Sequence, residues 1–200
     1  MSVQHPTLDD DGLDLIFREA RTHYSWTDEA VPVSLLREVY DLMKWAPTGT
    51  NSSPARFVFV SDKASKQLLA PAIPAGNLDK VMKAPVTAII AMDMRFHEHM
   101  PHLFPHNPGM AAYFAGNATF SDATAFRNST LQAAYFMIAA RALGLDCGPI
   151  GGFDETLVNT AFFPDGRFKV NFLCNLGHGD GKGQFPRGPR LAFEEACRVL

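Results

Sequence analysis

Apolar residues recur at three- and four-residue spacing in some stretches of the chain and run continuously in others. From Leu13 to Ala20 the period is helical, with Leu13, Ile16 and Phe17 on one side. It gives way to Arg21-Thr22-His23-Tyr24-Ser25-Trp26, polar and aromatic without regular period. After Val31-Pro32, Ser34 stands as an N-cap for an amphipathic helix whose Leu35, Leu36, Val39, Leu42 and Met43 share a face. That helix stops at Trp45-Ala46-Pro47, because the residue before a proline disfavours the helical region. Arg56–Val60 and Val86–Met92 read as strands, the second fully buried, with helical sequence around Lys63–Leu69 and Leu78–Lys83 between them.

The stretch from Arg95 to Phe120 holds Pro101, Pro105, Pro108, Gly109 and Gly116 among Phe, His and Met, with no sustained period. A long aperiodic stretch inside a compact domain points to a lid or binding element. Ser121 is the cap expected for the next helix, which ends at Leu143-Gly144 with glycine in the C′ position. From Leu131 to Ala140 that helix is apolar nearly all round, so it is central or covered by another subunit. Leu145–Phe153 reads as a glycine-rich connection, Asp154–Ala161 as a helix, and Lys169–Gly177 as a third strand. Three strands among helices give an α+β class, or α/β with a small mixed sheet. The expected organisation is a flexible segment over residues 1–12 and one domain over 13–200, with a lid at about 95–120.

Composition changes this picture little. The 200 residues are 46% hydrophobic and 20% charged with a formal charge of −3, which describes an ordinary globular chain and shows no nucleic-acid footprint. The first residues are polar and acidic, unlike a signal or transit peptide, and the uncharged stretch Asn128–Ala140 is too short to span a bilayer. Cys147, Cys174 and Cys197 form no CxxC pair and read as reduced thiols; the expected location is cytoplasmic.

Candidate chemistry is sparse in nucleophiles and acid–base pairs. Arg21-Thr22 near one end and Arg187-Gly188-Pro189-Arg190 near the other supply guanidinium forks suited to a phosphate, although solvated surface arginines are commoner. Pro47-Thr48-Gly49-Thr50-Asn51-Ser52-Ser53-Pro54 is a loop of small donors. Cys147-Gly148-Pro149-Ile150-Gly151-Gly152 would let backbone lie against a planar ring, or simply form a tight turn. His97, His99, His102 and His106 do not make a metal site, since Pro101 and Pro105 break the alignment and no further ligand follows at useful spacing. No GxGxxG opens a helix after a strand, and no P-loop motif is present. A phosphate-grade basic site with glycine-rich loops and no protein nucleophile suits chemistry borrowed from a cofactor.

At these residues the chain resembles the nitroreductase family of flavin enzymes. The matching elements are Arg21-Thr22-His23, then Met43 to Phe57 around Trp45-Ala46-Pro47 and Asn51, then Ala140–Phe153, and the closing basic element Pro186–Glu195. Four motifs in order, from about Leu13 to Leu200, make the resemblance specific. Within the family it looks most like the malonic semialdehyde reductases of pyrimidine catabolism, through Ala125-Phe126-Arg127-Asn128-Ser129 and Leu191–Cys197.

The resemblance implies an α+β homodimer with a mixed central sheet flanked by helices, FMN at the subunit interface, and NADH or NADPH as hydride donor. It places Arg21 and Thr22 on the FMN phosphate with Arg187 and Arg190, His23 beside them through its backbone, and Pro47, Thr48 and Asn51 along the isoalloxazine edge. Cys147, Gly148, Pro149, Ile150 and Gly151 would run along the ring. Phe96, Phe104, His106, Phe114 and Phe120 would line the substrate lid, and no side chain would be catalytic. Tyr24 stands where the family's motif carries a second basic residue, and Ser53 and Ala55 replace its usual Gln and Trp. The implied reaction is a ping-pong hydride transfer to a small acceptor: malonic semialdehyde, a nitroaromatic, a quinone or an enone. A flavin-sequestering protein without turnover would use the same residues.

Overall fold

The strands β1 (Ala55–Val60), β2 (Val86–Asp93), β3 (Asp146–Ile150) and β4 (Phe168–Gly177) pair antiparallel in the order β1-β2-β4-β3. The computed structural model describes residues 5–200. Central β2 is buried on both faces, which is why Val86–Met92 is a continuous apolar run rather than an alternating one. Its side chains still alternate between layers: Val86, Ala88 and Ile90 enter one core, Ile89 and Ala91 the other.

β3 corrects the expectation of a plain connection over Leu145–Phe153. Gly148 and Pro149 depress strand propensity, but β3 is the last strand of the sheet, where a proline's missing N–H leaves no ladder bond unmade. The expected mixed sheet is corrected as well: all three strand pairings are antiparallel, and the parallel contact of Thr22 with Cys147 on the outer side of β3 is an isolated bridge that adds no strand.

The chain enters through α1 (Asp10–Leu13) and a π-helical turn over Asp14–Arg18. Residues 1–4 of the segment expected to be flexible lie outside the described residues, and its far end belongs to α1, capped by the Asp9 carboxylate accepting from the Gly12 N–H. Helix α2 (Val33–Met43) begins one residue before Ser34. Pro32 is its cap residue, and the Pro32 carbonyl accepts from the N–H groups of Leu35 and Leu36. Of its apolar face, Leu36, Val39 and Met43 are buried while Leu42 is half exposed. Helices α3 (Lys63–Leu69) and α4 (Ala75–Lys83) follow β1, separated by the prolines at 71 and 74.

The stretch over 95–117 is helical in short pieces: a 3-10 turn Phe96–His99, α5 (Met100–Leu103) and α6 (Gly109–Ala115). Helices of four to seven residues hold too few turns to show a period, so the sequence pattern hid them. They form a core of their own, in which Phe96, Met100 and Phe114 pack against Ala125.

Helix α7 (Ala118–Ala142) starts three residues before Ser121. The Asn117 carbonyl already accepts from the Ser121 N–H, so Ser121 lies buried inside the helix rather than capping it. Gly144, with φ +81°, turns the chain out of the helix. Helices α2 and α7 cover one sheet face; α3, α4 and α8 (Glu155–Phe162) cover the other. The tail after β4 ends in α9 (Phe193–Ala196). No helix among the described residues is long and apolar enough to cross a membrane.

At the end of β2 the fully buried Asp93 carboxylate gathers two arginines. Arg56 of β1 donates through Nη2 at 2.8 Å, and Arg167, before β4, donates through Nε and Nη2 at 3.2 Å each. The Arg95 N–H completes the set at 2.9 Å. This cluster ties the root of the 95–117 stretch to the sheet. Asp93→Ala would leave Arg56 without its carboxylate and Arg167 with the Glu98 carboxylate as its remaining counter-charge. It is expected to cost about 3 kcal/mol of stability by chemical denaturation, the lower end for a broken buried pair because both arginines retain some exposure.

Candidate functional site

The N-terminal segment reaches the site by backbone pairing. Beside the Thr22–Cys147 bridge, the His23 N–H donates to the Cys147 carbonyl at 3.0 Å. Further on, Trp26 bridges Gly179 and the Thr27 N–H donates to the His178 carbonyl at 2.8 Å. The approach is close enough that a Cβ at position 148 would lie 2.7 Å from the His23 carbonyl oxygen, so only glycine fits. The His23 ring lies against Gly179, with Nε2 3.2 Å from the Asp146 carboxylate and 3.0 Å from Gln184 Nε2.

This pairing sets the two arginine motifs together. The tail folds back so that Arg187 Nη2 donates to the Ala20 carbonyl at 3.1 Å and Arg21 Nη2 donates to the Phe185 carbonyl. Arg21, Thr22, Arg187 and Arg190 line one cavity of about 400 Å³, and Arg141, from the last turn of α7, joins them. Among the described residues no carboxylate lines it. Arg141 donates through Nη1 to the Ile16 carbonyl at 3.3 Å, while its buried Nε finds no partner among the described residues. Guanidinium groups remain charged at any working pH, and collecting four around one space is favourable only with an anion among them. Donor forks of this kind match the oxygens of a phosphate.

A smaller cavity of about 160 Å³ shares Thr22 and Tyr24 with the first. One wall is the chain from Gly148 to Gly151; the opposite side carries Asn77 and Lys80 of α4. Lys80 Nζ lies 3.1 Å from Asn77 Oδ1 and 4.8 Å from the centre of the Tyr24 ring. Cys147 itself turns its thiol into the core, fully buried near the Met137 carbonyl, so its backbone alone faces this region.

Sequence reasoning missed Arg141, Asn77 and Lys80. Asn77 and Lys80 sit three apart on one helix face, and Arg141 is the one charge closing an apolar run, but nothing in either pattern says which loop it will meet.

The loop over 47–54 lies elsewhere. Thr50, Asn51 and Ser53 all have positive φ (53°, 51° and 39°), a cost of order 1–3 kcal/mol apiece of the kind found where a backbone is held for a ligand. It is braced on several sides: the Ser53 N–H donates to Thr48 Oγ1 at 3.2 Å, the Gly49 N–H to Asn128 Oδ1 at 2.7 Å, and Asn51 Nδ2 to the Leu103 carbonyl at 2.8 Å. Gly49 and Thr50 edge a cavity of about 390 Å³ with Tyr113, Phe114, Phe120 and Arg127.

Of the lid residues, Phe120 is half exposed at this cavity and Phe114 lines it from below. Phe96 is fully buried in the local core and offers no contact to a ligand, and Phe104 packs on the His106 ring with centres 3.8 Å apart. Within one chain, then, the loop at 47–54 and the wall at 148–151 face cavities that share no lining residue.

A buried polar chain holds α4 in place. Lys66 of α3 donates through Nζ to the Val81 carbonyl and to Thr87 Oγ1, both at 2.6 Å. Thr87 donates to Asn175 Oδ1 at 2.7 Å, and Asn175 Nδ2 donates to the Lys80 carbonyl at 3.2 Å. Burial lowers the Lys66 pKa from 10.5 to about 8.

The sequence profile described as the nitroreductase family matches residues 17–178. A relative from Ralstonia nicotianae, provisionally named NADH dehydrogenase/NAD(P)H nitroreductase, is 55% identical over 195 residues, covering 98% of this chain and all of its own. Among solved structures, a nitroreductase-like protein of Exiguobacterium sibiricum, in complex with FMN, superposes with a TM-score of 0.86 at 20% identity, covering 97% of this chain and 99% of its own. The Bacillus subtilis protein ydfN superposes with a TM-score of 0.81 at 22% identity, covering 92% and 97%.

Between about pH 8 and 10.5 the folded protein holds the Lys66 amine neutral while the unfolded chain still binds a proton. Stability contributed at this position therefore rises with pH across that window. Urea titrations should show the wild type gaining about 2–3 kcal/mol relative to Lys66→Met between its two ends.

Proposed function

The chain belongs to the nitroreductase family, and from that premise we infer that it is an FMN-dependent NAD(P)H oxidoreductase acting on a small acceptor. The observation that carries this reading is the arginine cavity with its orphaned Arg141 Nε. Its donors match the phosphate end of FMN, and the adjoining space between Gly148–Gly151 and Asn77–Lys80 offers backbone and amide donors to the rest of the cofactor.

On this reading Arg21, Thr22, Arg187 and Arg190, with Arg141, hold the phosphate. The extended backbone from Gly148 to Gly151 lies along the ring, and Asn77 and Lys80 meet its polar groups. Bound FMN supplies the relay of hydride from NADH or NADPH to the acceptor. The protein contributes binding, orientation and a dry surface, so no side-chain nucleophile is required.

The strained loop at 47–54 joins the site from a second copy of the chain. Two features support a homodimer: the loop and the ring wall stand apart within one chain, and α7 presents Phe126 (55% exposed), Leu131 (45%) and Tyr135 (41%) on its outer face. Pro47, Thr48 and Asn51 would then close on the ring edge from the partner side. The acceptor is a small unsaturated compound, with malonic semialdehyde, reduced to 3-hydroxypropionate, as the first to test and nitroaromatics, quinones and enones beside it. The reading places the protein in the cytoplasm, where the reduced nicotinamide nucleotides are found.

Purified protein should be yellow or take up added FMN, and should bleach on anaerobic addition of NADH or NADPH. Yellow protein that neither nucleotide bleaches would establish flavin sequestration instead. Failure to bind FMN would overturn the reading. Arg190→Ala should raise the FMN dissociation constant roughly tenfold or more, the loss of one charge-assisted contact, while the melting temperature of the apoprotein stays within a few degrees.

A further inference from the structure

The cavity beside the strained loop carries a charge that the flavin reading leaves unused. Arg127 lines it together with Thr50, Tyr113, Phe114, Phe120 and Thr124. Three aromatic rings and Met110 make the apolar part of its walls, and the Asn128 amide is already bonded to the Gly49 N–H, which leaves Arg127 as its charged group. No ion pair or hydrogen bond engages the Arg127 side chain among the described residues.

The helix provides no intrinsic partner. The positions three and four residues away on α7 are Ala123, Thr124, Thr130 and Leu131, without a carboxylate among them. Arg127 is exposed in the single chain, and a ligand that fills the cavity desolvates its guanidinium at a cost that an anion on that ligand offsets. Arg127 is also fixed relative to the loop, because its neighbour Asn128 accepts the Gly49 N–H at 2.7 Å and donates back to the Thr124 carbonyl at 2.8 Å.

We propose that Arg127 determines acceptor specificity, and that the acceptor is a carboxylate carried on a small planar body. This rests on the oxidoreductase reading above, in which the loop borders the ring. The guanidinium takes the carboxylate as a two-pronged charged pair, and the rings of Tyr113 and Phe120 take the flat unsaturated part. A space of about 390 Å³ admits a molecule of benzoate size and leaves its reducible group towards the loop. Phosphates of the nicotinamide nucleotide are the other anions that pass through such a site. The aromatic walls favour the carboxylate, because they match a compact ring rather than a charged, hydrated chain.

The test is calorimetric binding to the FMN-saturated protein, with benzoate and its neutral isostere benzamide as probes, in the wild type, Arg127→Leu, Arg127→Gln and Arg127→Lys. Benzoate should bind the wild type about tenfold or more tightly than benzamide, the worth of one charged pair. The Leu and Gln variants should lose that preference and the Lys variant should retain part of it. Equal binding of the two probes to the wild type overturns the proposal, as does a preference that survives Arg127→Leu. A loss of NADH or NADPH affinity in that variant without loss of benzoate binding assigns the residue to the nucleotide and equally overturns it. The readout requires no turnover, so it separates from the oxidoreductase reading, which fails by the absence of bleaching.

Discussion

The site depends on a backbone contact that only glycine permits. With His23 N–H on the Cys147 carbonyl and the His23 carbonyl 2.7 Å from where a Cβ of residue 148 would stand, the segment Arg21–His23 lies directly along the edge of β3. Any side chain at 148 would push that segment away. The ladder bond would go, and with it the placement of Arg21 and Thr22 against the tail. Arg187 depends on the same contact, since its anchor is the carbonyl of Ala20 in that segment. One missing methyl group thus governs whether residues more than 160 positions apart share a cavity.

Around this contact the protein uses buried polar groups as braces, each held by hydrogen bonds from more than one element. Asp93 is satisfied by two guanidinium groups and a backbone N–H, so a carboxylate without solvent exposure is tolerated at the sheet's end. Lys66 is satisfied by a carbonyl and a hydroxyl, and the chain of bonds through Thr87 and Asn175 reaches the helix that carries Asn77 and Lys80. An apolar core would hold these elements together without setting their register so narrowly. Directional bonds select one placement of α4 relative to β4, and the side chains of the smaller cavity inherit that placement.

The loop over 47–54 shows the opposite economy. Its three left-handed residues are intrinsically unfavourable, and Asn128, Thr48 and the Leu103 carbonyl hold them there. Backbone kept in this state sets Gly49 and Thr50 at the rim of the cavity that Tyr113, Phe114 and Phe120 line. On the proposed reading that rim meets its flavin across a subunit boundary. The same proposal would account for the apolar surface that α7 leaves uncovered in the single chain.

Much of this was legible in the sequence. The apolar run Val86–Met92, the face Leu36–Val39–Met43 and the stop at Leu143-Gly144 report burial and backbone sterics, which are local, so the chain itself determined these elements. The arginine motifs were visible as chemistry for the same reason: guanidinium groups match phosphate oxygens wherever they lie. Tertiary structure decided the rest. Pairing with β4 made a strand of Asp146–Ile150 against its local propensity, and the mini-core around Phe96 and Phe114 gathered helices too short to show a period. Packing also turned the Cys147 thiol inward and brought Arg141, Asn77 and Lys80 to the site. Each of these outcomes depends on contacts between residues remote in the chain, and a one-dimensional pattern records what a residue can do but not what it will face.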